Sequence, residues 1–157
     1  MLILGLDPGS TRVGYGLIEK NKNKLTLVKS GLLKIIAKDK AERLLNLEKS
    51  FSQLLKKQKL DLAAMEKLFF VKNLKTGLEV AQSRGVLTLL ISRRKIPLIE
   101  YTPSEIKLAV TGYGKADKKA VGRMVAKILN VDKIEGPDDV SDALATAICA
   151  AHNLIKP

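Results

Sequence analysis

Cysteine occurs once, at position 149, and tryptophan not at all, in a chain of 157 residues. A single thiol excludes an intrachain disulfide and a zinc site built on several cysteines, and it suits a reducing compartment. Aromatic residues make up only 4% of the chain, so one lying outside the core is informative. No apolar run approaches the roughly 18 residues that a membrane span requires, so no segment is expected to cross a membrane. The opening segment, Met1 to Asp7, lacks a basic start and reaches a carboxylate too early for a signal peptide. A cytoplasmic location is therefore expected. Acidic residues are scarce as well, 16 against 28 Lys and Arg, giving a formal net charge of +12. Such an excess points to a polyanionic partner, nucleic acid first and an anionic membrane second; nucleic acid, and no membrane, is the partner expected. With 46% apolar residues the chain is too hydrophobic for intrinsic disorder. Its length suits one domain over 1–157, burying roughly 70% of the unfolded surface.

The hydrophobic pattern changes period along the chain. Residues 2–7, 13–18 and 25–35 read as strands joined by Pro-Gly and Asn-rich turns. The connections are too short for crossovers, so the three form an antiparallel meander. Leu44, Leu47, Phe51, Leu54 and Leu55 then recur at helical spacing, which predicts a helix over 41–58. A short apolar run, 60–66, ends in Glu66. A long helix is expected over 76–93 and a strand over 97–101. Thr102-Pro103-Ser104-Glu105 carries a capping residue, a proline at the first helical position and a glutamate three after the cap. Gly112 and Gly114 break that helix, Asp117 caps a helix over 118–130, and a last helix runs over 139–154 with Asp138 as its cap. Strand–helix alternation after residue 35 implies parallel strands with crossovers.

With so few acids, their placement is informative. Asp7 and Glu66 each end an apolar strand, and Asp139 and Asp142 lie three apart at a helix start, on one face. Taken singly, each has a plain reading as a turn, a solvated strand end or a helix cap. In an α/β sheet, however, the C-terminal ends of parallel strands share the rim where ligands bind. Four carboxylates brought together there repel unless a cation lies between them. Oxygen-only ligands suit a hard divalent ion, Mg²⁺ or Mn²⁺. Two such ions, about 3.5–4 Å apart, activate a water and stabilise the leaving oxygen of a phosphodiester.

These residues resemble a known family. Asp7-Pro8-Gly9 followed by Gly14-Tyr15-Gly16 is similar to the opening motif of the RuvC Holliday-junction endonucleases. Glu66 with Phe69 resembles their second motif, and Gln82-x-Arg84-Gly85 a helix segment. Tyr101-Thr102-Pro103-Ser104-Glu105-x-Lys107 and Gly112-x-Gly114-x-Ala116-x-Lys118 resemble the DNA-facing region. Pro137-Asp138-Asp139-Val140-Ser141-Asp142-Ala143-Leu144-Ala145 resembles the closing motif. The matches span nearly the whole chain in order. The resemblance implies a ribonuclease H-like fold: a mixed five-stranded sheet with three antiparallel strands and helices on both faces. It implies metal-binding, catalytic carboxylates at Asp7, Glu66, Asp139 and Asp142, with two Mg²⁺ (or Mn²⁺) ions per active site. It further implies a homodimer that nicks a four-way DNA junction symmetrically during recombination and repair, leaving 5′-phosphates, with RuvA and RuvB as partners. Ala120 and Gly122 depart from the glutamines usual at those positions, and Ser141 stands where alanine is usual.

DNA contact is expected from Phe69, an apolar ring for unpaired bases, and from Lys107, Lys115, Lys118 and Lys119 as phosphate contacts. Phe70, Tyr15, Tyr101 and Tyr113 read as packing residues and Cys149 as a small core residue. Gly77 and Gly85 lie near one face of their helix. Two other readings keep the fold: a nuclease acting on RNA/DNA hybrid, and a junction binder without catalysis. Cleavage of junctions, duplexes and hybrids side by side separates them.

Overall fold

The structure is a computed structural model that describes residues 1–35, 37–68 and 74–154. The described elements are β1 (Leu2–Pro8), β2 (Arg12–Asn21), β3 (Lys24–Lys34), α1 (Lys40–Lys56), β4 (Leu62–Glu66), α2 (Leu74–Arg93), β5 (Leu98–Tyr101), α3 (Pro103–Thr111), α4 (Lys118–Leu129) and α5 (Asp138–Asn153). The strands form one sheet in the order β3-β2-β1-β4-β5. The hairpin-linked pairs, β1–β2 and β2–β3, are antiparallel, and the helix-linked pairs, β1–β4 and β4–β5, are parallel. The antiparallel and parallel pairings are those expected from connection length, and the mixed five-stranded sheet is the one the family resemblance implies.

Two apolar clusters sandwich the sheet. Leu4 and Leu6 of β1 and Ala63 and Met65 of β4 pack with Leu47, Phe51 and Leu55 of α1 and Leu87 and Ile91 of α2. Ile3 of β1 and Leu62 and Ala64 of β4 pack instead with α3, α4 and α5. Side chains alternate along a strand, so this parity carries one residue further. Asp7 and Glu66 both lie on the α5 side. The β1–β4 register pairs Leu6 with Met65, which puts the two carboxylates on adjacent strands just beyond that pair.

Helix α5 lies flat on the sheet because its contact residues are small. Ala143, Ala145, Ala147, Ala150 and Ala151 are buried. The strands answer with glycine: a Cβ on Gly5 would stand 2.0 Å from the Ala143 carbonyl oxygen, and one on Gly14 2.0 Å from that of Asp139. Backbone contact at these two points fixes the start of α5 over the ends of β1 and β2.

The helix starts largely follow the sequence signals. Thr102 and Glu105 form a reciprocal capping box on α3, and the Asp117 carboxylate accepts from the Ala120 N–H on α4. The start of α5 is a correction. Its cap is Pro137, with no side-chain capping bond, and Asp138 is already helical. Tyr113 is another correction. Tyr15 and Tyr101 are buried, but Tyr113 is 61% exposed. It follows Gly112, whose left-handed φ of 75° ends α3, and Thr111 Oγ1 bonds both its N–H and its carbonyl. The ring is thereby turned outward. Cys149 is fully buried, as expected, and burial pushes its thiol up to about 12. His152 Nδ1 lies 3.0 Å from the Ala109 carbonyl, linking the end of α5 to α3.

Candidate active site

Strand parity and the docking of α5 open a cavity of about 380 Å³ at the rim of the sheet. Asp7 from β1, Glu66 from β4 and Asp142 from α5 line it, with Lys107 from α3 and Lys118 from α4. Ile106 and Val121 supply apolar wall. Each residue arrives from a different element, so no local stretch of sequence builds the site.

The electrostatics are those of crowded carboxylates. The Asp7 carboxyl is pushed up to about 7, first by burial and then by Asp142, Asp139 and Glu66, with Lys118 opposing. Burial and Asp142 also raise Glu66, against Lys107, Lys118 and Arg84. Asp142 is raised by burial and restrained by Lys118. The Lys118 ammonium donates to Asp142 Oδ2 at 3.2 Å, and that attraction holds its own pKa above the usual lysine value.

Asp139 is placed differently. It does not line the cavity with the other three; its carboxylate pairs with the Arg12 guanidinium at 2.8 Å. Its charge nonetheless reaches Asp7. Nothing in the sequence marked Arg12, a lone cation in a Gly-Ser-Thr turn. The pairing comes from the backbone contact between Gly14 and Asp139.

Two of the four carboxylates are thus engaged by cations of the chain itself. Among the described residues, no three acidic, imidazole or thiol side chains stand close enough to hold one ion as they lie. The donor chemistry fits a hard divalent cation all the same. The ligands are all oxygen, and the upward pKa shifts mark a site where negative charge is under-compensated. A cation relieves that repulsion.

The lysines singled out from sequence divide between the cavity and its surroundings. Lys107 and Lys118 line the cavity itself. Lys118 and Lys119 also border a groove between α4 and the segment 132–138, together with Arg123 and Lys133. Lys115 borders a neighbouring hollow beside Tyr113 and Arg123. Phe69, Phe70 and Lys72 lie outside the described residues. Gly122 sits inside α4, where a Cβ would meet Ser141 Oγ at 3.6 Å, an ordinary contact. Gly85 faces open space. No described helix is long and apolar enough to cross a membrane.

A sheet of this order, with strand-end carboxylates beneath the start of a crossing helix, defines a ribonuclease H-like nuclease. The family model for crossover junction endodeoxyribonuclease RuvC matches residues 3–150, and the chain belongs to that family. A crossover junction endodeoxyribonuclease RuvC of Petrotoga mobilis is 44% identical over 150 residues, 95% of this chain and 92% of the relative. One from Clostridioides difficile is 45% identical over 154 residues, covering 98% and 91%. Among solved structures, T. thermophilus RuvC in complex with Holliday junction substrate superposes with a TM-score of 0.91 at 28% identity, covering 98% of this chain and 94% of that one.

Proposed function

We propose that this crossover junction endodeoxyribonuclease resolves four-way DNA junctions by two symmetric nicks, each protomer hydrolysing one phosphodiester at its Asp7–Glu66–Asp142 cavity. One observation carries the assignment of the site: carboxylates from three separate elements meet two lysines in a single cavity, inside a chain of the RuvC family. Asp7, Glu66, Asp139 and Asp142 would hold divalent cations, two Mg²⁺ or Mn²⁺ ions per site. When bound, these ions supply the positive charge that activates water and stabilises the departing oxygen. Water adds to phosphorus as the bond to the 3′-oxygen breaks, leaving a 5′-phosphate and a 3′-hydroxyl.

The chain's own residues supply the rest. Lys118 keeps Asp142 oriented and presents its charge at the phosphate, where negative charge builds in the transition state. Lys107 acts from the α3 wall of the same cavity. Lys115 and Lys119 contact phosphates beside the cavity, and Phe69 stacks on bases unpaired at the crossover. The net charge of +12 is concentrated outside the acidic cavity, so junction affinity falls steeply with salt. The enzyme acts as a homodimer in the cytoplasm, together with RuvA and RuvB, as one nuclease domain.

The test is cleavage of a synthetic mobile four-way junction by wild type and Glu66→Gln, with and without Mg²⁺, beside linear duplex and RNA/DNA hybrid. Symmetric, Mg²⁺-dependent nicking of the junction alone, lost in Glu66→Gln, supports the assignment. Preferential cleavage of hybrid, or junction binding with no cleavage by wild type, overturns it.

A further inference from the structure

We infer that α2 is a positioning clamp for the two strand-end carboxylates, acting through a pair of arginine–carbonyl links. The first link is Arg84 of α2. Its Nη1 donates to the backbone carbonyl of Glu66, and its Nη2 donates to Glu100 Oε1 on β5. The Arg84 side chain is only 13% exposed. The second link runs through Arg43 of α1. Its Nη1 donates to the Ser10 carbonyl at 2.6 Å, in the turn that follows Asp7, and its Nη2 donates to Gln82 Oε1 of α2 at 3.1 Å. Glu79, also on α2, lies 3.5 Å from the same guanidinium.

Arg43 is an unusual residue to bury. It is 7% exposed, and its Nε has no hydrogen-bond partner. Charged side chains are almost never fully buried unless paired, and desolvating them is costly. Residues of α1 and α2 could fill that space with apolar groups, as their neighbours do. A guanidinium kept there therefore serves its contacts, and those contacts join the Asp7 turn to α2. Both arginines bond backbone carbonyls near the carboxylates rather than the carboxylate oxygens, although the Arg84 charge still acts on Glu66. An ion pair to Asp7 or Glu66 would neutralise the charge the site needs; a bond to the carbonyl fixes the strand end and leaves that charge available. The Gln82-x-Arg84 segment thereby acquires a physical role. Gln82 holds one link and Arg84 makes the other, two residues apart on one helix.

The inference rests on the reading of Asp7 and Glu66 as the catalytic carboxylates. Its test compares Arg84→Ala, Arg84→Lys and Gln82→Ala with wild type in Mn²⁺ affinity by calorimetry, metal-free junction affinity, and single-turnover cleavage. Arg84→Ala should lose about 10–100-fold in both Mn²⁺ affinity and cleavage rate, as outer-sphere partners of metal ligands do. Junction affinity should stay unchanged. Arg84→Lys and Gln82→Ala should lose less, in the same two quantities, and they carry the test if Arg84→Ala fails to fold. Added guanidinium ion should restore part of the Arg84→Ala rate without accelerating wild type. Unchanged Mn²⁺ affinity in all three variants overturns the clamp, as does a loss confined to junction binding. Asp7→Asn and Glu66→Gln serve as controls. If both abolish cleavage while the α2 variants are silent, only the clamp is wrong. If both still cleave, the reading of the site fails and the clamp with it.

Discussion

The Arg12 guanidinium and the Asp139 carboxylate meet at 2.8 Å between the start of β2 and the first turn of α5. Half of the arginine side chain is in solvent, 50%, against 20% for the aspartate. An exposed pair of this kind adds only about 0–1 kcal/mol to stability. Its consequence lies in the site, where a cation of the chain occupies a carboxylate assigned to metal. Arg12→Ala should leave the melting temperature nearly unchanged and tighten Mn²⁺ binding. The gain should be up to roughly fivefold, the effect of removing about 1 kcal/mol of repulsion from a nearby charge. Weaker Mn²⁺ binding in that variant, measured by calorimetry, would show that Arg12 supports the metal instead of competing with it.

Gly14 controls where α5 begins. Its absent Cβ would lie 2.0 Å from the Asp139 carbonyl oxygen and 2.5 Å from the carbonyl carbon, both backbone atoms that no rotamer change can move. Gly14→Ala must therefore lift the start of α5, carrying Asp139 and Asp142 with it. Overpacking of this sort costs about 1–3 kcal/mol. Cleavage should fall much further than the stability loss explains, even at temperatures where the variant is fully folded. A folded Gly14→Ala protein that cleaves at the wild-type rate would show that α5 tolerates the shift.

Gly122 presents the opposite case. It is a glycine within α4, and a Cβ there meets nothing closer than Ser141 Oγ at 3.6 Å. Gly122→Ala should stabilise the protein by about 1 kcal/mol, the helix-propensity difference between the two residues. Thermal unfolding checks this; a lower melting temperature would point to a crowding that the geometry does not contain.

The strand and helix order was legible because connection length and hydrophobic period report it directly. The Thr102–Glu105 capping box was legible because its whole signal is four residues long. Strand ends at Asp7 and Glu66 were equally visible, and the sheet parity that turns both toward α5 follows from counting along two strands. The partners of those residues were not visible. Arg12, Arg43 and Arg84 reach targets 127, 33 and 18 residues away, and nothing in local sequence says where a long side chain ends. The Asp138 cap failed for a related reason. Pro137 already had the extended backbone a cap requires, so the helix began one residue earlier and placed Asp138 inside it. Tyr113 was misread because an aromatic is buried by default in sequence reasoning. The left-handed glycine before it decided its direction.

Lys118 links the acidic cavity to the basic groove beside it, lining both. Its side chain is 68% exposed while its ammonium bonds Asp142 at 3.2 Å, so the ion pair itself contributes little to folding. Lys118→Met should reduce the single-turnover rate by about 10²–10³-fold, the usual cost of deleting a group that stabilises developing charge. Junction affinity should drop only slightly, with the slope of log affinity against log salt reduced by about 1. If affinity and rate fall by the same factor, Lys118 is a phosphate contact with no separate part in the chemistry.

The raised pKa of Asp7 has a stability consequence whose sign can be worked out. Burial and the neighbouring carboxylates push its carboxyl up to about 7 in the folded protein, against an ordinary value of 3.8. Below the ordinary value the group is protonated in both states and costs nothing. Between the two values the folded state keeps a proton that the unfolded state has released, so stability falls as pH rises through this window. Above about 7 the folded protein carries a crowded, buried charge, and the full penalty is in place. Glu66 and Asp142, also raised, act in the same direction. Asp7→Asn removes the charge but keeps the shape. Without metal, it should therefore melt higher than wild type at pH 8, with the difference shrinking toward pH 4. Added Mn²⁺ should raise the wild-type melting temperature at pH 8 and raise that of Asp7→Asn far less, because the buried Asp7 charge that the ion would compensate is already gone. Cleavage should be lost in the same variant that gains stability. Thermal scans across pH, with and without Mn²⁺, decide the matter: a pH-independent difference between the two proteins would mean that the Asp7 carboxylate is not the charge that strains the site.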